Sequence, residues 1–292
     1  MKSKTLWTVA ARLRATALRL LLTFSVFGPI AAKAHEFWLL PQSFSVPPTQ
    51  AFLLELRVGA GWPGESLGRN PDYIERFGLL DAKGERRIGG QPGADPAGVV
   101  MTNTPGAAWA VFRSKQSSIT LEAAKFESYL REEGLDNISE ARRLNGTSDA
   151  PAREMYSRCA KSLLQVGRSA KTSAKTSAAL LKRNTGLTLE LIPQTDPQQL
   201  RAGGVFTVQL LYLNKPLRGA LVKALPQTAQ GELSTLQITG RSDAQGRVTL
   251  PLSRGGVWLI NAVHMVKAAP QLNADWESVW SSLTFELPDS LR

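Results

Sequence analysis

DAQGRVTLPLSRGGVWLINAVH, residues 243–264, decides the fold class. RVTLPL (247–252) and VWLINAVH (257–264) are short runs rich in β-formers, and Asp243-Ala244-Gln245-Gly246 is a turn sequence that predicts a hairpin. The same rhythm surrounds them. LTLELI (187–192), VFTVQLLYL (205–213), residues 220–225 and residues 282–287 predict further strands with no helix between them. Residues 186–292 therefore read as a compact antiparallel sandwich. Toward the N-terminus, AFLLELRV (51–58), residues 76–80 with the turn DAKG (81–84), and AAWAVFR (107–113) predict a second β-sandwich region over residues 35–120.

Between the two, residues 121–185 read as a helical insert followed by a basic loop. LEAAKFESYLREEGL places Phe126, Tyr129 and Leu130 on one face of a helix. APAREMYSRCAKSLLQV does the same for Met155, Cys159 and Leu163, with Pro151 at its start, and predicts a second helix. SAKTSAKTSA (169–178) has no large apolar side chain and reads as a solvated linker. The expected fold is mainly β, with two antiparallel sandwich regions of immunoglobulin- or transthyretin-like kind and a helical insert.

The first 34 residues are of a different nature. Residues 1–19 carry five basic residues and no acid, and LLLTFSVFGPIAA (20–32) is apolar and uncharged. That run is shorter than the roughly 20 residues a membrane-spanning helix needs, but it suits the core of a secretory signal. Ala32-Lys33-Ala34 supplies the small residues of a cleavage site, so cleavage is expected after Ala34. The mature chain would then begin at His35, in a bacterial periplasm, and would not be an integral membrane protein.

Over its 292 residues the chain has 43% hydrophobic and 20% charged content, which excludes a disordered or collagen-like protein. Its single cysteine excludes an intramolecular disulfide and Cys-based zinc sites. The formal charge of +11 falls once the leader is removed, to 29 Lys and Arg against 24 Asp and Glu. No basic stripe interleaved with aromatics remains, so nucleic acid is not an expected partner.

His35 and His264 are the only histidines. A leading histidine offers a metal both its α-amine and its ring Nδ1, because together they close a chelate ring. With reference pKa values of about 7.7–8.0 for the amine and 6.5 for the ring, deprotonation near neutral pH costs little. A third nitrogen from His264 would complete a T-shaped site, a histidine brace when copper fills it. Such donors suit divalent Ni, Co or Cu, with affinity greatest for copper. Against this stands the alternative that His264 is simply buried on an apolar strand. Met265 follows it onto the opposite face and reads as core, and Glu36 reads as a solvated acid.

Other motifs carry less. Gly64-Glu65-Ser66-Leu67-Gly68 matches the nucleophile elbow of hydrolases, but Pro71 and the absence of helical periodicity after it predict a plain loop. Cys159 reads as a buried small hydrophobe. Trp38, Trp62, Trp109, Trp258, Trp276 and Trp280 read as core residues rather than a sugar-binding platform.

Five blocks together resemble one family: HEFWLLP (35–41), AKFESYLREEGLDNI (124–138), YSRCAKSLLQVG (156–167), SDAQGRVTLPL (242–252) and GVWLINAVHM with DWESVWSSLTFEL (256–265 and 275–287). Their order is similar to that of the DUF4198 family, periplasmic components of cobalt or nickel transport systems. The resemblance implies a mostly β exported protein serving divalent metal uptake beside a membrane transporter. It places His35 in the family's histidine-aromatic opening and His264 in its Trp-containing strand. Three functions follow as expectations: a non-enzymatic transition-metal-binding protein using His35 and His264, a copper brace redox enzyme at the same site, or a structural or adhesive sandwich without metal.

Overall fold

The computed structural model describes residues 36–167, 177–227 and 236–288. The expected signal segment, the cleavage site after Ala34, His35 and most of the 169–178 stretch lie outside the described residues.

The strands before the insert are β1 (Glu36–Pro41), β2 (Ser45–Val46), β3 (Ala51–Gly59), β4 (Glu65–Leu67), β5 (Ile74–Asp81), β6 (Gly84–Arg87), β7 (Gly98–Met101), β8 (Gly106–Ser114) and β9 (Ser117–Leu121). Two helices follow, α1 (Ala123–Glu132) and α2 (Asp136–Leu144), and then β10 (Ala152–Val166). The rest is β11 (Leu189–Pro193), β12 (Gly204–Tyr212), β13 (Lys215–Pro216), β14 (Leu221–Pro226), β15 (Ile238–Arg241), β16 (Arg247–Leu252), β17 (Gly256–Lys267) and β18 (Trp276–Leu287).

The protein is mainly β. Its two sandwiches share one sheet, ordered β15-β14-β17-β18-β10-β8-β5-β6, with β2 and β9 also pairing to β10. Strand β8 explains the sharing. Its alternate side chains Ala108, Ala110 and Phe112 pack with Phe37, Leu39 and Leu54 of the small sheet β1, β3, β4, β7. Trp109 and Val111 point the other way, into a core with Leu191, Phe206 and Leu250 of the small sheet β11, β12, β13, β16. A strand covered on both faces loses its hydrophobic alternation and reads as a continuous apolar run. Pairing is antiparallel except for β10 with β18 and β10 with β2.

Two expectations are corrected. The segment read as a second helix is strand β10, at the centre of the shared sheet. Met155, Cys159 and Leu163 are spaced by four, which places them on one face of a helix and equally on one face of a strand. Burial on both faces decides for the strand: Cys159 and Leu163 enter one core, Ala160 and Leu164 the other. The second helix is instead α2, built from DNISEARRL.

The turn at Asp243–Gly246 also forms, closed by the Asp243 N–H on the Arg247 carbonyl at 2.9 Å. Its flanking strands do not pair, however: β15 lies on β14 and β16 on β12. Val248, Leu250 and Leu252 must bury against the shared sheet, so β16 belongs to the facing layer and the turn carries the chain from one layer to the next.

Helix α1 buries the predicted Phe126, Tyr129 and Leu130. It ends in a Schellman turn, with Leu135 N–H donating to the Leu130 carbonyl at 2.8 Å and Gly134 N–H to that of Arg131 at 3.3 Å. Gly134 has φ 64°, and a Cβ there would meet Leu221 Cβ at 2.9 Å, so the turn seats against the start of β14 only as glycine.

Candidate functional site

His264 sits where β17 runs past the end of β14. The last registered pair between them on that side is Val222 with Ala262, which leaves the β17 flank uncovered. A cleft of about 330 Å³ opens there, walled by Gly134, Leu135 and Asp136 of the α1–α2 turn, by Leu221 and Arg241, and by His264 itself. His264 stands opposite Val279 of β18, on the β17 face that carries Ile260 and Ala262. There its ring meets that of Tyr212 from β12 edge-on, 4.4 Å between centroids.

Burial lowers the His264 pKa from its usual value, so the imidazole is neutral at neutral pH. No hydrogen bond among the described residues engages its ring nitrogens. A neutral, half-buried imidazole lining a cleft has a lone pair to give, which fits a transition-metal ligand. Among the described residues no group of three or more His, Cys, Asp or Glu side chains gathers for a metal. His35, the other expected ligand, directly precedes the described chain. Met265 is buried and on the opposite face from His264, as expected.

Glu36, expected to be solvated, is only 5% exposed. Strand β1 is covered on both sides, Phe37 and Leu39 in one cluster and Trp38 in another with Leu225 and Leu259. A carboxylate on such a strand needs a buried partner. Lys223 of β14 provides it, its Nζ donating to Glu36 Oε1 at 3.0 Å and to Glu133 Oε1 at 2.7 Å. Burial pushes Glu133 up to about 7, aided by repulsion from Glu36 and opposed by Lys223. The ammonium of Lys223 is penalised by burial, yet the two carboxylates outweigh this and hold its pKa above the usual value.

Sequence reasoning missed Lys223, Glu133 and Tyr212. Lys223 did leave a signal, as a lone cation within the apolar run LVKALP. For the other two, polar residues at ordinary helix and strand positions, only the fold brings the partners together.

The remaining candidates are structural. Ser66 lies on the three-residue strand β4 and donates to Asp95 Oδ1 at 2.5 Å, without the helix that a nucleophile elbow requires. Cys159 is buried, and burial pushes its thiol pKa up, away from the reactive thiolate. The six tryptophans in the described residues are each at most 9% exposed.

No helix among the described residues is long and apolar enough to cross a membrane. No curated protein matches the sequence. Among solved structures, the D0-D1 domain of intimin is 10% identical, with 86% of this chain and 97% of that chain covered and a TM-score of 0.19. The native Escherichia coli alpha-2-macroglobulin is 12% identical, with 88% of this chain but 16% of that chain covered and a TM-score of 0.22. A Salmonella alpha-2-macroglobulin mutant is 10% identical, with 85% and 14% covered and a TM-score of 0.19. Likenesses at such scores carry no functional argument. The family model described as a domain of unknown function, DUF4198, matches residues 32–266, from ahead of Glu36 to just beyond His264, and the chain belongs to that family.

Proposed function

We propose that this is an exported, periplasmic protein that binds one late transition metal, nickel, cobalt or copper, for uptake or buffering beside a membrane transporter. His35 would hold the metal through its α-amine and ring, and His264 through its ring. The observation that carries the reading is His264: neutral, half-buried and facing a cleft, without a hydrogen-bond partner among the described residues.

Glu36, the residue after His35 in the sequence, shares Lys223 with Glu133, and the residues after Glu133 wall the His264 cleft. Binding is favoured over oxygen-activating catalysis because His264 is recessed and the six described tryptophans are buried, offering no aromatic platform for a large substrate.

Calorimetric titration with Cu(II) or Ni(II) tests the reading. Protein starting at His35 should bind one equivalent tightly, and one extra residue ahead of His35 should abolish tight binding by removing the chelating amine. His264→Ala should weaken binding by roughly 10- to 100-fold or more, scaled from the loss of an outer-shell partner. Equal affinity in all three proteins would refute the site.

A further inference from the structure

One ammonium serves two buried carboxylates at the end of α1. Lys223 Nζ donates to Glu133 Oε1 at 2.7 Å and to Glu36 Oε1 at 3.0 Å, and all three residues are at most 5% exposed. With both carboxylates ionised, the cluster holds one negative charge more than its cation offsets, away from water. Two carboxylates in such a place are accommodated best when one of them keeps a proton.

Glu133 is the one placed to keep it. Its carboxyl faces Lys223 from β14, Glu36 from β1, and Glu132 and the neutral phenol of Tyr129 on its own helix. Of these only Lys223 favours ionisation; burial, Glu36 and Glu132 oppose it and raise the Glu133 pKa to about 7. Asn261, opposite Lys223 on β17, adds no charge.

What Glu133 holds in place is the turn that follows it. Gly134 comes next, close against Leu221 of β14, and residues 134–137 form one wall of the His264 cleft. The other polar anchor of this turn is Arg241, which reaches the Gly134 carbonyl at 3.1 Å and the Asp136 carboxylate. Those two side chains are 46% and 75% exposed, so water and salt screen the pair and the buried contact is the firmer hold.

We infer that the end of α1 is a pH-operated latch: with a proton on the Glu36–Lys223–Glu133 cluster the turn is held against β14 as a wall of the His264 cleft, and loss of that proton above neutral pH releases it. A released Glu133 meets water and returns to its ordinary value of 4.5, so the docked turn binds the proton more tightly. Docking is therefore firmest in acid and weakens as pH rises through 7. Between pH 6 and pH 8 the ratio of docked to released turn should fall about tenfold. The latch acts on the cleft itself and is independent of what the cleft binds.

Native-state hydrogen exchange on metal-free protein, as wild type and Glu133→Gln, tests the latch. The reporters are the amides of Glu133, Leu135 and Ile138, which donate to the carbonyls of Tyr129, Leu130 and Leu135. In wild type their protection factors should fall about tenfold from pH 6 to pH 8. The fall should be insensitive to low urea, which marks local release, whereas amides of β17 and β18 that exchange by global unfolding respond to urea. Glu133→Gln keeps the shape and removes the titration, so its protection should stay level over the same range. His264 is present in both proteins, so its own titration does not produce the difference.

Equal slopes in the two proteins, or a slope confined to urea-sensitive exchange, would overturn the latch. If Glu133→Gln does not fold, Glu133→Ala, which leaves Lys223 and Glu36 paired one to one, is judged by the same slope.

Discussion

At the scale of single residues, the chemistry turns on which groups lose contact with water. His264 stood out in the sequence because histidine is so scarce, and its place on an apolar strand is borne out. Glu36 was misjudged: an acid beside a chain start usually meets solvent, and only the pairing of β1 and its cover of apolar neighbours bury it. Glu133 yields a prediction. Its pKa is raised from 4.5 to about 7 in the folded protein, so between these values the folded state holds a proton that the unfolded chain has released. The contribution to stability is fully present below about pH 4.5 and is lost as pH rises toward 7, by an amount on the order of 3 kcal/mol. Urea unfolding of wild type and Glu133→Gln across pH 4.5–7.5 should show this slope flattened in the variant; parallel curves would contradict the assignment.

At the scale of elements, most strands were legible because their apolar runs are bounded by glycine, proline and turn residues. RVTLPL was expected over 247–252 and β16 spans those residues. β10 was not legible: a spacing of four serves a helix and a strand alike, and its Glu, Lys and Arg residues favour helix until tertiary contacts override them. One of those residues is Lys161, on the β10 face that meets the C-terminal core. Its Nζ donates to Glu190 Oε1 at 2.7 Å, with both side chains 1% exposed, and lies 4.6 Å from the Trp109 ring centroid. Burial alone would raise the Glu190 pKa, but Lys161 and the Thr185 N–H hold it below its usual value. Lys161→Met would leave a buried carboxylate without its cation and should cost about 3–5 kcal/mol in chemical denaturation. A loss under about 1 kcal/mol would mean that the backbone donors of residues 185–187 satisfy Glu190 unaided.

At the scale of the whole molecule, the β character and helix α1 could be read from composition and periodicity, but the single sheet shared by both halves could not. It depends on the parallel pairing of β10 with β18, which lie more than a hundred residues apart and carry no local signature. The proposed site has the same non-local character, since it would join a chain start expected from a cleavage motif to a strand residue 229 positions later. Export and trimming are therefore the central claim, because they would turn His35 into a two-nitrogen ligand. The most direct test is a native mass spectrum of the protein isolated from the periplasm of its own cells. The account predicts the mass of a chain beginning at His35 plus one transition-metal ion; a chain beginning at any other residue, or one beginning at His35 that carries no metal, would contradict it.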